Sequence, residues 1–272
     1  MFPNVSGWSW TPLHVTFVTI FLTVAAVMAG TLLLAAWRAW RDVRRGRAES
    51  IRWHSEFEDL PLADRTCRHV LTNEFLHRTC DQGFDCRECA THARWTENHP
   101  AAAAVDFEVA GLKYPADRMY HRGHTWVKVE DGGTLLIGPD ALSERMFGRI
   151  GSLTLPAVGT TLHACAPAWT IRSRGDTFRV LSPVDGEVVE QGGPEQACYL
   201  RVRPSEHPPA LTHLLRGSEV RPWVLRELER LQLLVSPGLP SLADGGVLAE
   251  DLPAMSPDVN WPAVWGQMLL EP

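Results

Sequence analysis

The sequence predicts an α+β protein, mainly β, in which a single transmembrane helix precedes a strand-rich domain closed by an amphipathic helix. Three observations predict it: an uncharged apolar run from Val15 to Trp37, short β-rich runs separated by glycine turns from about Met119 onward, and an apolar stripe between Val220 and Leu234. A chain of 272 residues can hold one or two domains with a proper core. A net charge of -6 and a pI near 6.0 give no reason to expect a nucleic-acid partner.

The apolar run exceeds the roughly 20 residues that cross a hydrocarbon core. Thr16, Thr19, Thr23 and Thr31 are tolerable inside it, because a threonine hydroxyl can bond back to its own helix's carbonyls. Trp8, Trp10, Trp37 and Trp40 bracket it like an interfacial belt. Val27-Met28-Ala29-Gly30 imitates a signal-peptidase site, but no arginine or lysine precedes the run and the run continues past Gly30, so a membrane span is preferred to a cleaved leader. Arg38, Arg41, Arg44, Arg45 and Arg47 follow the span. By the positive-inside rule the N-terminus lies outside and the C-terminal domain lies in the cytoplasm, at a bacterial inner membrane. His14, at the outer edge, reads as an interfacial residue and not as a ligand to a pigment or haem metal.

Cys67, Cys80, Cys86 and Cys89 come next, interleaved with His69, His77 and His92 and ending in C-x2-C. This spacing suits zinc or an iron–sulfur centre, since a C-x2-C turn can place two sulfurs on one ion. Buried inert thiols and a disulfide or redox pair stay open beside it, the disulfide being disfavoured in a reducing cytoplasm. Cys165 and Cys198 stand apart on expected strands and read as core or incidental thiols.

In the strand-rich part, Thr125 to Glu130 and Thr134 to Ile137 form a hairpin across Asp131-Gly132-Gly133. A short helix is expected between Gly138 and Gly148, and a strand from Ile150 to Leu155. Leu162 to Ile171 and Phe178 to Leu181 form a second hairpin, and Val188, Val189 and Tyr199 to Val202 complete the sheet. His121, His124 and His163 lack any HxH or HExxH spacing, and a structural role is expected for them. Ser218 is the expected N-cap of the closing helix, with Pro222 in its first turn. From Ser236 the chain is proline-rich, and Trp261 and Trp265 could pack on the domain or on a neighbour.

Three motifs carry a resemblance: His124-Thr125-Trp126-Val127, Leu155-Pro156-Ala157-Val158-Gly159, and Ser182-Pro183-Val184-Asp185-Gly186-Glu187-Val188-Val189-Glu190. With them the chain resembles the H protein of the glycine cleavage system. That resemblance implies a lipoyl-type β barrel-sandwich hybrid and a lysine on a hairpin shortly before Ser182-Pro183-Val184. Laid without gaps on that pattern, the lysine position falls on Gly175. The chain's only lysines are Lys113 and Lys128. Arg172 and Arg174 cannot replace the lysine, because lipoylation needs a neutral amine and a guanidinium stays protonated. Extended bacterial relatives of this kind also resemble the chain at Cys80-Asp81-Gln82-Gly83-Phe84-Asp85-Cys86.

The expected organisation is therefore a short outer N-terminus (1–14), the span (15–37), a basic juxtamembrane linker (38–66), a Cys/His-rich segment (67–117), the H-protein-like domain with its helix (118–235) and a proline-rich tail (236–272). The expected function is that of a non-catalytic accessory or scaffold subunit without lipoate, whose partners are the bilayer and the subunits of a larger respiratory or photosynthetic membrane complex. A membrane-bound zinc or iron–sulfur protein using Cys67, Cys80, Cys86 and Cys89 is the alternative, and a lipoyl carrier of glycine cleavage ranks last.

Overall fold

The computed structural model describes residues 11–44, 62, 65–99, 103–193, 198–235 and 246–270. Trp8, Trp10, Arg45, Arg47 and the proline-rich stretch 236–245 lie outside them, as do the side chains of Arg38, Trp40, Arg41 and Arg44. The chain divides into two units, Met1–Ile51 and Arg52–Pro272.

Among the described residues, the first unit is one helix, α1 (Pro12–Arg44). Its Pro12–Trp37 stretch has a mean hydropathy of 2.4, is not buried within the protein, and is long and apolar enough to cross a membrane. All four threonines behave as anticipated. Thr16 donates to the Pro12 carbonyl at 2.9 Å, Thr19 to Val15 at 2.8 Å, Thr23 to Thr19 at 2.7 Å and Thr31 to Met28 at 2.8 Å. No hydroxyl proton is left to seek water in an apolar medium.

The second unit opens with α2 (Arg68–Leu71) and α3 (Ala90–Asn98), followed by the hairpin β1 (Phe107–Val109) and β2 (Leu112–Tyr114). Two sheets follow. A six-stranded sheet runs in the order β3 (Met119–His121), β4 (Thr125–Val129), β5 (Leu135–Pro139), β11 (Leu200–Pro204), β10 (Gly186–Gln191) and β7 (Thr161–Leu162). The other sheet contains β6 (Ile150–Thr154), β8 (Pro167–Ser173) and β9 (Asp176–Leu181). One continuous core joins both sheets with the helices that follow β2, through residues such as Val127, Ile137, Ile171, Phe178, Val188 and Val202. The class is α+β and mainly β, as expected.

Local chemistry explains the main elements. In the β4–β5 hairpin, Gly133 donates to the Glu130 carbonyl and Glu130 to Thr134. Helix α4 (Ala141–Phe147) starts where the Asp140 carboxylate accepts from Ser143 N at 2.7 Å, and it stops at Gly148 with φ 55°. Gly186 admits no side chain: a Cβ there would lie 2.4 Å from the Arg203 carbonyl oxygen on β11. That close approach is why the motif that begins at Ser182 has glycine at position 186.

Two expectations change, and one open choice is decided. The single arm expected over Leu162 to Ile171 breaks at a turn in which Ala166 N bonds the His163 carbonyl and Cys165 takes φ 62°. Residues Thr161–Leu162 thereby join the large sheet, and Cys165 is not on a strand. Ser218 caps nothing. It lies inside a 3₁₀ turn, Gly217–Glu219, that runs directly into α5 (Val220–Val235), and Glu219 reaches back to Arg216 N at 3.1 Å. The C-terminal tryptophans are packed on the domain itself: α6 (Leu252–Met255) and α7 (Trp261–Met268) bury Trp261 and Trp265 in the main core.

Candidate functional site

The hairpin of β8 and β9 closes between Ser173 and Asp176, leaving Arg174 and Gly175 as a two-residue turn. Both have positive φ, 52° and 99°, the signature of a mirror-image turn that matches the twist of its strands. Gly175 is exposed, and a Cβ built there meets nothing within 4 Å. Gly175, the position expected to match the family's lysine, thus sits at the tip of a hairpin, and it bears no amine. Lys113 lies on β2, and Lys128 lies on β4, where its ammonium donates to Asp117 at 2.6 Å. The turn does not fit covalent lipoate, and no carrier chemistry can be drawn through it.

A second region gathers the Cys/His-rich segment against one end of the barrel. Thr66 bridges Thr79, with Cys67 N bonded to the Arg78 carbonyl and Cys80 N to the Arg65 carbonyl. Cys89 N bonds the Cys86 carbonyl at 3.3 Å, closing the C-x2-C turn. Cys67, Cys80 and Cys86 are buried, Cys89 is half-buried, and all four are free thiols. Burial, the largest influence, raises the Cys67 thiol and pushes Cys86 up to about 11. Among the described residues, no three Cys, His, Asp or Glu side chains stand where they could hold a metal ion. The arrangement therefore does not fit a tetrahedral zinc or iron–sulfur site on Cys67, Cys80, Cys86 and Cys89.

Arginines that the cysteine spacing did not reveal hold this segment in place. Arg68 is 1 % exposed. It donates to the carbonyls of Thr212 (3.2 Å) and His213 (3.0 Å) and to Glu219 (2.8 Å). Arg87 pairs with Asp85 and with Asp185 of the Ser182–Gly186 motif. His92 donates from Nε2 to the Thr212 carbonyl at 2.7 Å, and its Nδ1 faces His69 Nε2 at 3.2 Å. Burial first, then the neighbouring Arg68 charge, lowers His92 to about 4, so its ring is neutral at pH 7.

His121 and His124 each sit in a buried cluster of polar groups. His121 Nε2 lies 3.6 Å from Cys165 Sγ, which suggests a thiol–imidazole pair. The proton inventory forbids that chemistry. Gly123 N–H donates to His121 Nδ1 at 3.0 Å, so the neutral ring carries its hydrogen on Nε2 and cannot accept the thiol's proton there. Burial also lowers His121 to about 3 and pushes Cys165 up to about 12. His124 is fully buried and stacked on Trp223, with Asp140 at 2.8 Å and Glu227 at 3.5 Å. Burial alone would lower it, but Asp140 and then Glu227 hold it up at about 9. It is an internal cation tying the β4 entry to α4 and α5. His163 is exposed, 3.8 Å from Asp185. On this geometry His121 and His124 are held inside the core, whereas His163 stands at the surface.

Comparison with known proteins follows this architecture. A family model described as "Glycine cleavage H-protein" matches residues 118–193. A glycine cleavage system H protein of Rubrobacter xylanophilus is 32% identical over 111 residues, covering 36% of this chain and 87% of the relative. That of Methylococcus capsulatus is 30% identical over 107 residues, covering 34% and 82%. Other relatives are matched over less: the chain spans about three-fifths of the Aromatoleum aromaticum H protein, 59% of its length, at 35% identity over 78 residues and 28% of this chain. A crystal structure of an H protein from Mycobacterium marinum aligns at a TM-score of 0.33 and 22% identity, over 39% of this chain and 94% of that one. By its relatives, and by the motifs that build the β3–β11 sandwich, the chain belongs to the glycine cleavage H-protein family.

Proposed function

We propose that this protein is a non-catalytic, membrane-anchored accessory subunit, in which an H-protein-like domain serves as a docking body for a larger membrane complex. One observation carries the reading: the hairpin turn is Arg174-Gly175, and no lysine stands on either arm. A carrier without its amine keeps a stable sandwich with protruding loops, which suits recognition better than group transfer. The apolar Pro12–Trp37 helix supports attachment to a membrane, where it can pack against other helices. The proposed topology places the domain in the cytoplasm of a bacterial cell, and respiratory and photosynthetic complexes are the proposed partners because they recruit single-span subunits.

Gentle-detergent extraction through a tag on the native protein, followed by identification of co-purifying subunits, tests this reading. Stoichiometric recovery of integral-membrane subunits is expected, with loss of that recovery after deletion of residues 1–37. Monodisperse protein with no partner in native membranes would refute it.

A metal or redox role for the cysteine segment is the second reading, supported by three buried, unpaired thiols in one small region. Metal analysis and an absorption spectrum of anaerobically purified protein separate the two.

A further inference from the structure

The small sheet turns a basic face to solvent at its hairpin end. Arg172 on β8 stands opposite Ser152 of β6 and Thr177 of β9, so the three share one face. Its neighbours along the strand, Ile171 and Ser173, are fully buried, whereas Arg172 is exposed. Ile150 pairs with Ser173, which brings Arg149 and Arg174, each one residue beyond that pair, to the same corner. Both are exposed. Ser173 Oγ fixes the corner by donating to the Phe147 carbonyl at 2.8 Å and to the Arg149 carbonyl at 3.3 Å. Arg179, opposite Thr170, extends the same face.

The charge at this corner is unbalanced. Strands β6, β8 and β9 hold a single carboxylate, Asp176, which pairs with inward-facing Ser173 and so belongs to the opposite face. Asp251 lies nearby, but its carboxylate accepts from the backbone N–H of Arg149 at 3.2 Å and of Ala254 at 2.9 Å. Among the described residues, no carboxylate forms an ion pair with the side chain of Arg149, Arg172 or Arg174. Three such guanidinium groups thus gather on a chain whose net charge is -6. No large apolar side chain is exposed on these three strands. A protein interface draws on apolar or aromatic anchors at its centre, and this face offers none. Its arginine forks and hydroxyls match phosphate oxygens instead.

We propose that Arg149, Arg172 and Arg174 form a docking patch for the phosphate headgroups of anionic phospholipids. The inference rests on the membrane-attached reading above: a chain whose helix can cross a bilayer has lipid headgroups as a constant neighbour. Each guanidinium can offer two parallel N–H donors to one phosphate, and Ser152 adds a hydroxyl beside Arg172. Docking needs no apolar insertion, because a negative lipid surface attracts basic residues through its potential alone. That potential fades within a Debye length, so salt reverses the contact.

The full-length protein is reconstituted in vesicles of phosphatidylcholine, with or without phosphatidylglycerol, and treated with phenylglyoxal, which modifies accessible arginines. Mass spectrometry reads each site. In the anionic vesicles, labelling of Arg149, Arg172 and Arg174 should slow by about fivefold or more, while exposed Arg221 of α5 keeps its rate. Raised salt should remove the difference. Arg172→Gln should reduce the protection at Arg149 and Arg174 by about fivefold and leave the melting temperature unchanged, since the position is exposed. Flotation of the vesicles in alkaline carbonate tests the helix separately. Protein stripped from the vesicles would sink the attachment and the patch with it, whereas protein that floats but labels equally in both lipids would sink the patch alone. Loss of co-purifying subunits from the Arg172→Gln variant, without any lipid effect, would assign the patch to a protein partner and overturn the proposal.

Discussion

Trp265 donates its indole N–H to the Met146 carbonyl oxygen at 2.8 Å, joining the last described helix to the C-terminal turn of α4 across 119 positions of sequence. The same ring stacks on Phe178 of β9 at 4.4 Å. The C-terminal segment is therefore part of the domain's core and fills the space beside the small sheet. Trp265→Ala should destabilise the domain by about 3–5 kcal/mol, the usual loss for a fully buried large aromatic. Thermal unfolding of the full-length protein in micelles reads this. A change under about 1 kcal/mol would show that the segment only rests on the surface.

Stability should peak near neutral pH. His124 sits at about 9 when folded and near 6.5 when unfolded, so its contribution is complete below about pH 6.5 and is lost as pH rises towards 9. His92 and His121 have the opposite sign. Held at about 4 and about 3, they contribute fully above about pH 6.5, and that contribution is lost as pH falls through these values. Melting temperatures measured from pH 4 to 9 should fall on both sides of the maximum. His124→Gln should flatten the alkaline limb only, and an unchanged limb in that variant would disprove the assignment.

Arg68→Ala should release the Cys-rich segment and leave the barrel folded. The substitution strands Glu219 and two carbonyl oxygens, and breaking such a buried pair costs about 3–5 kcal/mol. Limited proteolysis should then cut between residues 65 and 99 while the 103–235 region resists. Simultaneous loss of both regions would mean that they fold as one cooperative unit.

Intact-mass spectrometry of protein purified from its native cells should show no lipoyl increment. Lys113 and Lys128 both lie on strands, and Lys128 is already paired with Asp117. A lipoyl-sized addition on either lysine would restore the carrier reading.

Much of this was legible in the sequence because the signals were local. Asp131-Gly132-Gly133, the short helix between Gly138 and Gly148, and the threonines of α1 act through neighbours a few residues away, so their patterns survive without three-dimensional context. Helix α5 and its apolar stripe were equally plain. What stayed hidden was long-range. Nothing near Arg122 in the chain announces that Phe84 will cover it, and nothing near Arg68 names Thr212 as its acceptor. The β1–β2 hairpin was missed although Ala110-Gly111 marks its turn, because the strands are only three residues long. The cysteine spacing suggested a four-ligand site, yet spacing fixes separation along the chain and not the direction of each sulfur.

The Arg174-Gly175 turn carries a lesson about reversibility. Position 175 holds a backbone angle of φ 99°, which side-chain-bearing residues adopt only at an expense of about 1–3 kcal/mol. Writing a lysine back at that one codon would therefore mount the amine on a strained tip and weaken the hairpin that must present it. An attachment point at this tip would need the turn rebuilt together with the residue, so the backbone of the hairpin, and not the identity of one side chain, sets what position 175 can present.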